Sequence, residues 1–264
     1  MDVVELATFE EFERETMVLL KDHKERRGET MADILPVLFR GQARPSWDLT
    51  TTLERCSTRQ YCAEDYYNVM RAVRPAVESC TEKRWPFHAH YRHDDGVPAA
   101  PQGYEFMAYL RHHGFPSPLL DWTRSFYVAA FFAFQSAKDK EPNVAIYSLI
   151  EYYEPSKRGD ANEATIVGIG RDVRTHKRHF IQQSQYTFCN KQLDGKYVYC
   201  SHEDAFARND RTQDVLTKFI IPKTERSKVL DKLAMMNITA YSLFGSEESL
   251  LGTLAYQKIE RRPL

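Results

Sequence analysis

Two short segments of the chain carry polar residues inside apolar runs, where chemistry could take place. Leu38-Phe39-Arg40-Gly41-Gln42 is typical of a buried β-strand that ends on an arginine and a glycine. Residues 112–123 combine a glycine/proline turn with a short apolar strand that ends in Asp121-Trp122-Thr123. A guanidinium presents a fork of donors that suits phosphate oxygens, and burying such groups without partners is costly. The segments therefore predict a polar site, unless Arg40 and Asp121 only form a structural salt bridge.

The hydrophobic pattern predicts the elements that would position these segments. A helix over residues 103–113 ends at Gly114, and an alanine- and phenylalanine-rich helix over residues 124–138 is apolar on all sides, which predicts burial. An N-terminal helix begins at a capping box, Thr8-Phe9-Glu10-Glu11. Further strands are predicted over residues 34–40, 144–150, 186–189, 197–200 and 219–222. Because strands and helices do not alternate regularly, we predict the α+β class.

The composition excludes some classes of protein but does not indicate a particular function. The 264 residues are 42% hydrophobic and 28% charged, with a formal net charge of -1, so no global field would steer the protein to nucleic acid or to a membrane. The sequence has no long apolar run and its N-terminus lacks a signal-peptide pattern, so we expect a cytoplasmic protein without a membrane partner. The five cysteines form no CxxC pair, and we expect free thiols.

One histidine cluster could suggest a metal. His88, His90 and His93 lie close to Asp94-Asp95. No cysteine or carboxylate pair completes a zinc set nearby, so we expect no metal. P-loop, GxGxxG, GxSxG and HExxH patterns are absent from the sequence.

The two polar segments are similar to signatures of the FRG-domain family, which is named for a Phe/Tyr-Arg-Gly motif. Phe39-Arg40-Gly41 matches that motif. A second family signature reads approximately Gln-His-Tyr-Gly-Leu-Pro-Thr-Arg-Leu-Leu-Asp-Trp-Thr. Residues 111–123 match it, with Arg111 in place of the glutamine and Pro118 in place of the arginine. The resemblance extends over about residues 30–260 and includes a third signature at residues 178–188.

The order of the signatures also resembles the layout of arginine-strand ADP-ribosyltransferases. That family carries Arg-Gly at the end of a first strand, a Ser-Thr-Ser shelf on a second strand, and a Gln/Glu-x-Glu motif entering a late strand. Arg40-Gly41, Asp121-Trp122-Thr123 and Gln183-Ser184-Gln185 occupy corresponding places. The resemblance implies one α+β domain over residues 31–264 with a mixed, split β-sheet core, preceded by a helical N-terminal cap over residues 1–30.

The same resemblance implies a cleft that binds NAD as a co-substrate. Arg40 would pair with the pyrophosphate or ribose, Gly41 would let the backbone approach the nicotinamide amide, and Trp122 or Tyr127 would stack on the nicotinamide ring. The implied NAD-binding residues are Arg40, Gly41, Gln42, His112, Asp121, Trp122, Thr123 and Tyr127. His112 could instead be a cation favoured at a helix C-terminus.

The implied catalytic residues are Arg40, Asp121, Gln183 and Gln185. Loss of nicotinamide leaves an oxocarbenium-like ribose, which a nearby polar or anionic group would stabilise. The sequence has glutamine, Gln183 or Gln185, at the position of the family's glutamate, so Asp121 is the alternative carboxylate. The glutamines could equally be satisfied strand-edge amides.

These implications favour an ADP-ribosyltransferase, of the kind that acts as a bacterial toxin or anti-phage effector, with an antitoxin as a possible partner. Basic and aromatic residues alternate near Lys83-Arg84-Trp85 and Lys177-Arg178-His179, which favours a nucleic-acid acceptor, RNA above all, over a protein acceptor. The same clusters could be solvated loops. A non-catalytic nucleotide- or partner-binding module and an NAD glycohydrolase remain the alternative functions.

Overall fold

A computed structural model describes residues 1–27, 36–91, 100–137, 141–151, 162–169, 173, 175–206 and 214–261. These residues fold around a single open β-sheet. Its strands are β1 (Asp2–Glu5), β2 (Leu38–Gln42), β3 (Leu120–Thr123), β4 (Asn143–Glu151), β5 (Thr165–Ile169), β6 (Ser184–Leu193), β7 (Lys196–Tyr199) and β8 (Asp214–Pro222).

The sheet is mixed and nearly divided in two. Its strand order is β1-β8-β4-β2-β3-β6-β5, with β7 added beside β6. The pair β1–β8 is parallel and the other pairs are antiparallel. Strands β2 and β3 join the two halves through one residue pair, Phe39 with Thr123. The predicted α+β class and mixed sheet are thus confirmed, and the sheet is split at the junction of β2 and β3.

Helices cover both faces of this sheet. They are α1 (Phe9–Arg27), α2 (Thr52–Cys56), α3 (Ala63–Thr81), α4 (Tyr104–His112), α5 (Phe126–Gln135), α6 (Lys177–Ile181), α7 (His202–Phe206), α8 (Arg226–Met235), α9 (Ala240–Phe244) and α10 (Glu247–Ala255), with a short 3-10 turn (Lys223–Glu225) and a terminal π-helical turn (Tyr256–Glu260). No helix in the described part of the chain is both long and apolar enough to cross a membrane.

Helix α5 is the core element that its all-round apolar sequence predicted. Phe126, Ala129 and Phe134 are buried against β2, α1 and α8. Helices α3 and α4 form a second, aromatic cluster with Trp85, and a third cluster fills the other side of the sheet around Trp122. The site strands β2 and β3 are therefore held between packed layers.

The N-terminal segment is joined to the sheet rather than set apart from it. Strand β1 lies beside β8, and Phe9 and Phe12 of α1 are buried in the same cluster as α5. Thr8 accepts a hydrogen bond from the Glu11 backbone amide at 3.2 Å, as a capping residue does. The predicted boundary between a cap and a domain, at residues 30 and 31, lies outside the described residues and stays a prediction.

Candidate functional site

A cleft opens where β2 and β3 diverge. Its volume is about 760 Å³. The residues that line it are Phe39, Arg40, Gly41, Gln42, Ala43, Ser46, Trp47, Asp48, Thr50, Arg55, Arg111, His112, Asp121, Trp122, Thr123, Phe132, Ser136, Arg178, Gln182, Ser184 and Phe244. A cleft of this size accommodates a small organic ligand or a cofactor.

The backbone geometry explains why the strands part at this point. Continuing the antiparallel register from the Phe39–Thr123 pair would place Gly41 opposite Asp121. Instead, the Arg40 side chain reaches across, and its Nη1 donates to the backbone carbonyl of Asp121 at 2.7 Å. The guanidinium thus occupies the gap between the strands and faces the cleft.

Gly41 is required by the helix behind the strand. A Cβ added to Gly41 would lie 1.9 Å from the carbonyl oxygen of Ala129 and 2.7 Å from the amide nitrogen of Ala133. Helix α5 therefore packs directly on the β2 backbone. The structure gives this glycine a packing role, while its predicted approach to nicotinamide stays a prediction.

Four arginines give the cleft a cationic character. Arg40, Arg55, Arg111 and Arg178 line it, against the carboxylates of Asp48 and Asp121. Burial lowers the pKa of Arg40 to about 10, although the nearby Asp121 opposes that shift. Arg40 therefore stays protonated at neutral pH, and the cleft attracts anions.

Several buried polar atoms of the cleft have no hydrogen-bond partner in the described protein. They are Arg40 Nε, Arg111 Nε and the side-chain carbonyl oxygen of Gln42. Gln42 is only 6% exposed, and its amide nitrogen donates to the Asp48 carbonyl at 3.3 Å. Because unpartnered buried polar groups are costly, these atoms favour a polar ligand in the cleft.

The Asp121 carboxylate is ion-paired with Arg111. The Arg40 side chain donates to the backbone carbonyl of Asp121 and not to its carboxylate, so the structural salt bridge considered for these two side chains is not formed. Asp121 lies on the cleft with its side chain 37% exposed. The carboxylate is thus accessible but already has a cationic partner.

Three side chains form a hydrogen-bonded row at one wall. The Tyr186 hydroxyl lies 2.6 Å from Nε2 of His112 and 3.0 Å from Nδ1 of His179. Burial lowers the pKa of His112 to about 4, so the ring is neutral at pH 7. The lowered pKa favours a neutral ring over the cationic helix-end histidine, although α4 does end at His112.

Partly exposed aromatic rings line the cleft. Phe132 and Phe244 are half-buried and meet edge to face at 5.9 Å between ring centres, with the Arg178 guanidinium 5.7 Å from the Phe244 ring. Arg178 Nε also donates to the Phe244 carbonyl at 3.0 Å. Trp47, which also lines the cleft, is 47% exposed. These rings could stack on bases.

Neither aromatic residue predicted to stack on nicotinamide is free to do so. Trp122 is 3% exposed, packs in the cluster behind the sheet, and donates from Nε1 to Thr187 at 2.8 Å. Tyr127 lies outside the cleft and donates its hydroxyl to Glu13 at 3.0 Å. Trp122 borders the cleft, but alternation along β3 turns its side chain to the face opposite Asp121 and Thr123, where it packs in the third cluster.

The predicted glutamines are also displaced from the cleft. Gln182 and Ser184 line it, whereas Gln183 and Gln185 do not. Ser184 pairs with Thr123 in the sheet register, and Gln185 pairs with the inward-facing Trp122. Strand alternation therefore places Gln185 on the opposite face, where it is buried.

Three further residues line the cleft that were not among the predicted site residues, namely Arg111, Arg178 and Phe244. Arg178 begins the third signature, which could have identified it. The sequence distinguishes Arg111 only because it replaces the glutamine of the family signature. Phe244 comes from α9, far along the chain, and no local motif marks it.

The metal hypothesis receives no support from the described residues, among which no group of three or more His, Cys, Asp or Glu side chains could hold a metal ion. His93, Asp94 and Asp95 lie outside them. The five cysteines are free.

Comparison with known proteins identifies the domain but no activity. No curated protein and no solved structure matches the chain. The sequence model of the FRG domain matches residues 36–142, a range that contains Arg40, Arg111 and Asp121. Arg178, Gln182, Ser184 and Phe244 complete the cleft from outside that range. Residues 36–142 of the chain therefore form an FRG domain.

Proposed function

We propose that this protein is an NAD-dependent ADP-ribosyltransferase. One observation carries the proposal: the three signature segments lie on or beside the adjacent strands β2, β3 and β6 and border one cleft. This arrangement is the one implied by the resemblance to arginine-strand ADP-ribosyltransferases, in which a first, a second and a late strand supply the site.

The charges of the cleft support a diphosphate ligand. Arg40 faces it with an unpartnered Nε, and Arg55, Arg111 and Arg178 stand around it. Guanidinium groups bind phosphate oxygens through paired hydrogen bonds. The aromatic pair Phe132–Phe244 and the separate ring of Trp47, which all line the cleft, would then receive the ring systems at the two ends of NAD.

In the proposed reaction, the bond between C1′ of the ribose and the nicotinamide nitrogen breaks, and nicotinamide leaves with the electron pair. Asp121 is the carboxylate on the cleft wall beside Arg40 and would stabilise the positive ribose. Thr123 would act indirectly, because its hydroxyl donates to the Gln182 carbonyl at 2.7 Å and holds that residue at the cleft.

The acceptor we propose is a nucleic acid, because two distant basic segments meet beside the cleft. Lys83 lies 4.9 Å from the ring of Tyr109, on which His113 stacks at 4.2 Å. His113 in turn contacts His176 at 5.3 Å, next to Lys177. This basic–aromatic surface (Lys83, His113, His176 and Lys177, above the buried ring of Tyr109) suits phosphates and exposed bases. Arg92, Arg171 and Arg174 lie outside the described residues.

A second function, nucleotide binding without catalysis, is favoured by one contact. The Asp121 carboxylate is already neutralised by Arg111, and the β6 residue on the cleft face is Ser184 rather than an acid. Such a site would bind NAD through its arginines and leave the glycosidic bond intact.

The test is nicotinamide release from NAD, with and without total RNA, single-stranded DNA or cell lysate. Wild type and Arg40→Ala are compared with Arg59→Ala, which removes an exposed arginine paired with Asp65 outside the cleft. Release that requires Arg40 and rises with nucleic acid supports the transferase. Release without any acceptor indicates an NAD glycohydrolase. NAD binding without release indicates the binding module.

The proposed role as a toxin is tested separately, by expressing the protein in bacteria. Induced expression of the wild type should arrest bacterial growth, and induction of Arg40→Ala should not. Equal growth under both inductions would contradict the toxin role and remove the reason to expect an antitoxin.

A further inference from the structure

His112 stands between the two regions that a transferase must connect. His112 lines the arginine-rich cleft, and the next residue, His113, belongs to the basic–aromatic surface. An acceptor bound to that surface would approach the cleft along the His112 wall. A group at this junction is positioned to touch the attacking atom.

The two ring nitrogens of His112 have different surroundings. Nε2 lies 2.6 Å from the Tyr186 hydroxyl. Nδ1 has no hydrogen-bond partner among the described residues. It is also absent from the side-chain atoms of those residues that are fully buried and lack a partner. Nδ1 is therefore accessible, and the cleft is the space that His112 borders.

Tyr186 can fix which nitrogen of His112 carries the proton. Its hydroxyl has a single proton and lies between two histidine nitrogens, at 2.6 Å from His112 and 3.0 Å from His179. When the hydroxyl donates to Nδ1 of His179, it accepts from Nε2–H of His112. Both nitrogens that face the hydroxyl are then satisfied, and Nδ1 of His112 carries a free lone pair.

We propose that His112 is the general base of the transfer reaction and that Tyr186 and His179 are positioning residues that hold it in the required tautomer. Nδ1 of His112 takes the proton from a neutral O–H or N–H group of the acceptor. The acceptor atom bonds to C1′ of the ribose as the bond from C1′ to nicotinamide breaks. The proton then leaves the imidazolium for solvent. This inference rests on the proposed transferase function.

The charged and titratable groups around His112 are compatible with that role. Asp121 favours the protonated ring, whereas Arg111, His176 and His179 oppose protonation. In the free protein the ring is unprotonated and ready to accept a proton. The negative pyrophosphate of bound NAD would raise the pKa of His112 from its low value and so strengthen it as a base.

The decisive experiment compares the wild type with His112→Gln and Tyr186→Phe, with His88→Gln as a matched control in an exposed histidine away from the cleft. His112→Gln should lower kcat at least about ten-fold, with the KM for NAD within about two-fold, because a positioned base contributes to the chemical step alone. Added imidazole should restore part of the activity of His112→Ala. Tyr186→Phe should lower kcat by a smaller factor.

A readout independent of activity is the ¹⁵N chemical shift of the His112 ring. The wild type should show an unprotonated Nδ1 and a protonated Nε2 at pH 7, and Tyr186→Phe should mix the tautomers. A protonated Nδ1 in the wild type would overturn the assignment even if no variant folds well.

The outcomes separate this inference from the proposed function. An active wild type with His112→Gln within two-fold of its kcat would overturn the base and leave the transferase intact. Loss of NAD binding in His112→Gln would make His112 a binding residue and not the base. A wild type that releases no nicotinamide with any acceptor would overturn both.

Discussion

Arg111 and Asp121 form an ion pair across the cleft wall, from the end of α4 to β3. Arg111 replaces the glutamine of the family signature, and Pro118 replaces its arginine. The segment thus keeps one arginine but carries it at a different position. In this chain that arginine neutralises the carboxylate that the proposed reaction would use.

Replacing Arg111 by glutamine, the residue of the family signature, should separate the two roles of this arginine. The freed Asp121 should stabilise the positive ribose better, which raises kcat for nicotinamide release. The lost guanidinium should weaken diphosphate binding, which raises the KM for NAD several-fold. Steady-state kinetics of Arg111→Gln test this, and Arg111→Lys, which keeps the charge, should change kcat less. A fall in kcat with Arg111→Gln would contradict the prediction.

Gly41→Ala should destabilise the fold strongly. Its Cβ would lie 1.9 Å from the Ala129 carbonyl oxygen, so α5 would have to move off the strand. Overpacking of this kind costs roughly 1–3 kcal/mol or more, and here the backbone itself must shift. Urea unfolding measures the effect.

The matched control is Gly252→Ala. Gly252 lies within α10 and a Cβ there meets no atom within 4 Å. Alanine at that position should raise the free energy of unfolding by about 0.5–1 kcal/mol, because glycine is unfavourable inside a helix. Equal effects of the two substitutions would contradict the packing role assigned to Gly41.

The sequence could predict the parts of this site that lie in local motifs. Arg40 and Asp121 are polar residues at the ends of short apolar strands, and the apolar helix after Thr123 had to be buried. Which face of its strand each side chain occupies was harder to predict. Trp122 and Gln185 pair with each other in the register and lie on the opposite strand face from Asp121 and Ser184, and a shift of one residue exchanges the faces.

Other contributions depend on tertiary packing that no local pattern records. Phe244 reaches the cleft from α9 and meets Phe132 of α5, more than a hundred residues earlier in the chain. The row His112–Tyr186–His179 likewise joins α4, β6 and α6 through side-chain geometry. Only the three-dimensional arrangement shows which of many aromatic and histidine residues share a site.

Phe244→Leu should distinguish the ring-binding end of the cleft from its diphosphate-binding part. Loss of stacking on a base or nicotinamide costs roughly 1–3 kcal/mol, so NAD should bind about ten-fold more weakly. Inorganic pyrophosphate, which has no ring, should bind with unchanged affinity. Calorimetric titration of both ligands tests this, and equal weakening of both would show that the Phe244 ring acts by holding Arg178, whose guanidinium lies 5.7 Å from the ring centre.

Acid should destabilise the protein before its carboxylates titrate fully. Burial lowers the pKa of His202 to about 3 and that of His112 to about 4, whereas both would have a pKa near 6.5 when unfolded.

Between those values the unfolded chain binds more protons than the folded one, so the free energy of unfolding rises with pH. The stabilisation that the two neutral histidines contribute is complete above about pH 6.5. It is lost as the pH falls towards 4 and then 3. His202→Gln should flatten the fall of Tm between pH 6.5 and 4, because Nε2 of His202 contacts only the Thr187 hydroxyl at 2.8 Å and its Nδ1 is buried without a partner in the described protein. His88→Gln, at an exposed site, should leave the curve parallel to that of the wild type. A wild-type Tm that stays constant or rises on acidification over this range would show that these histidines do not govern the acid stability of the fold.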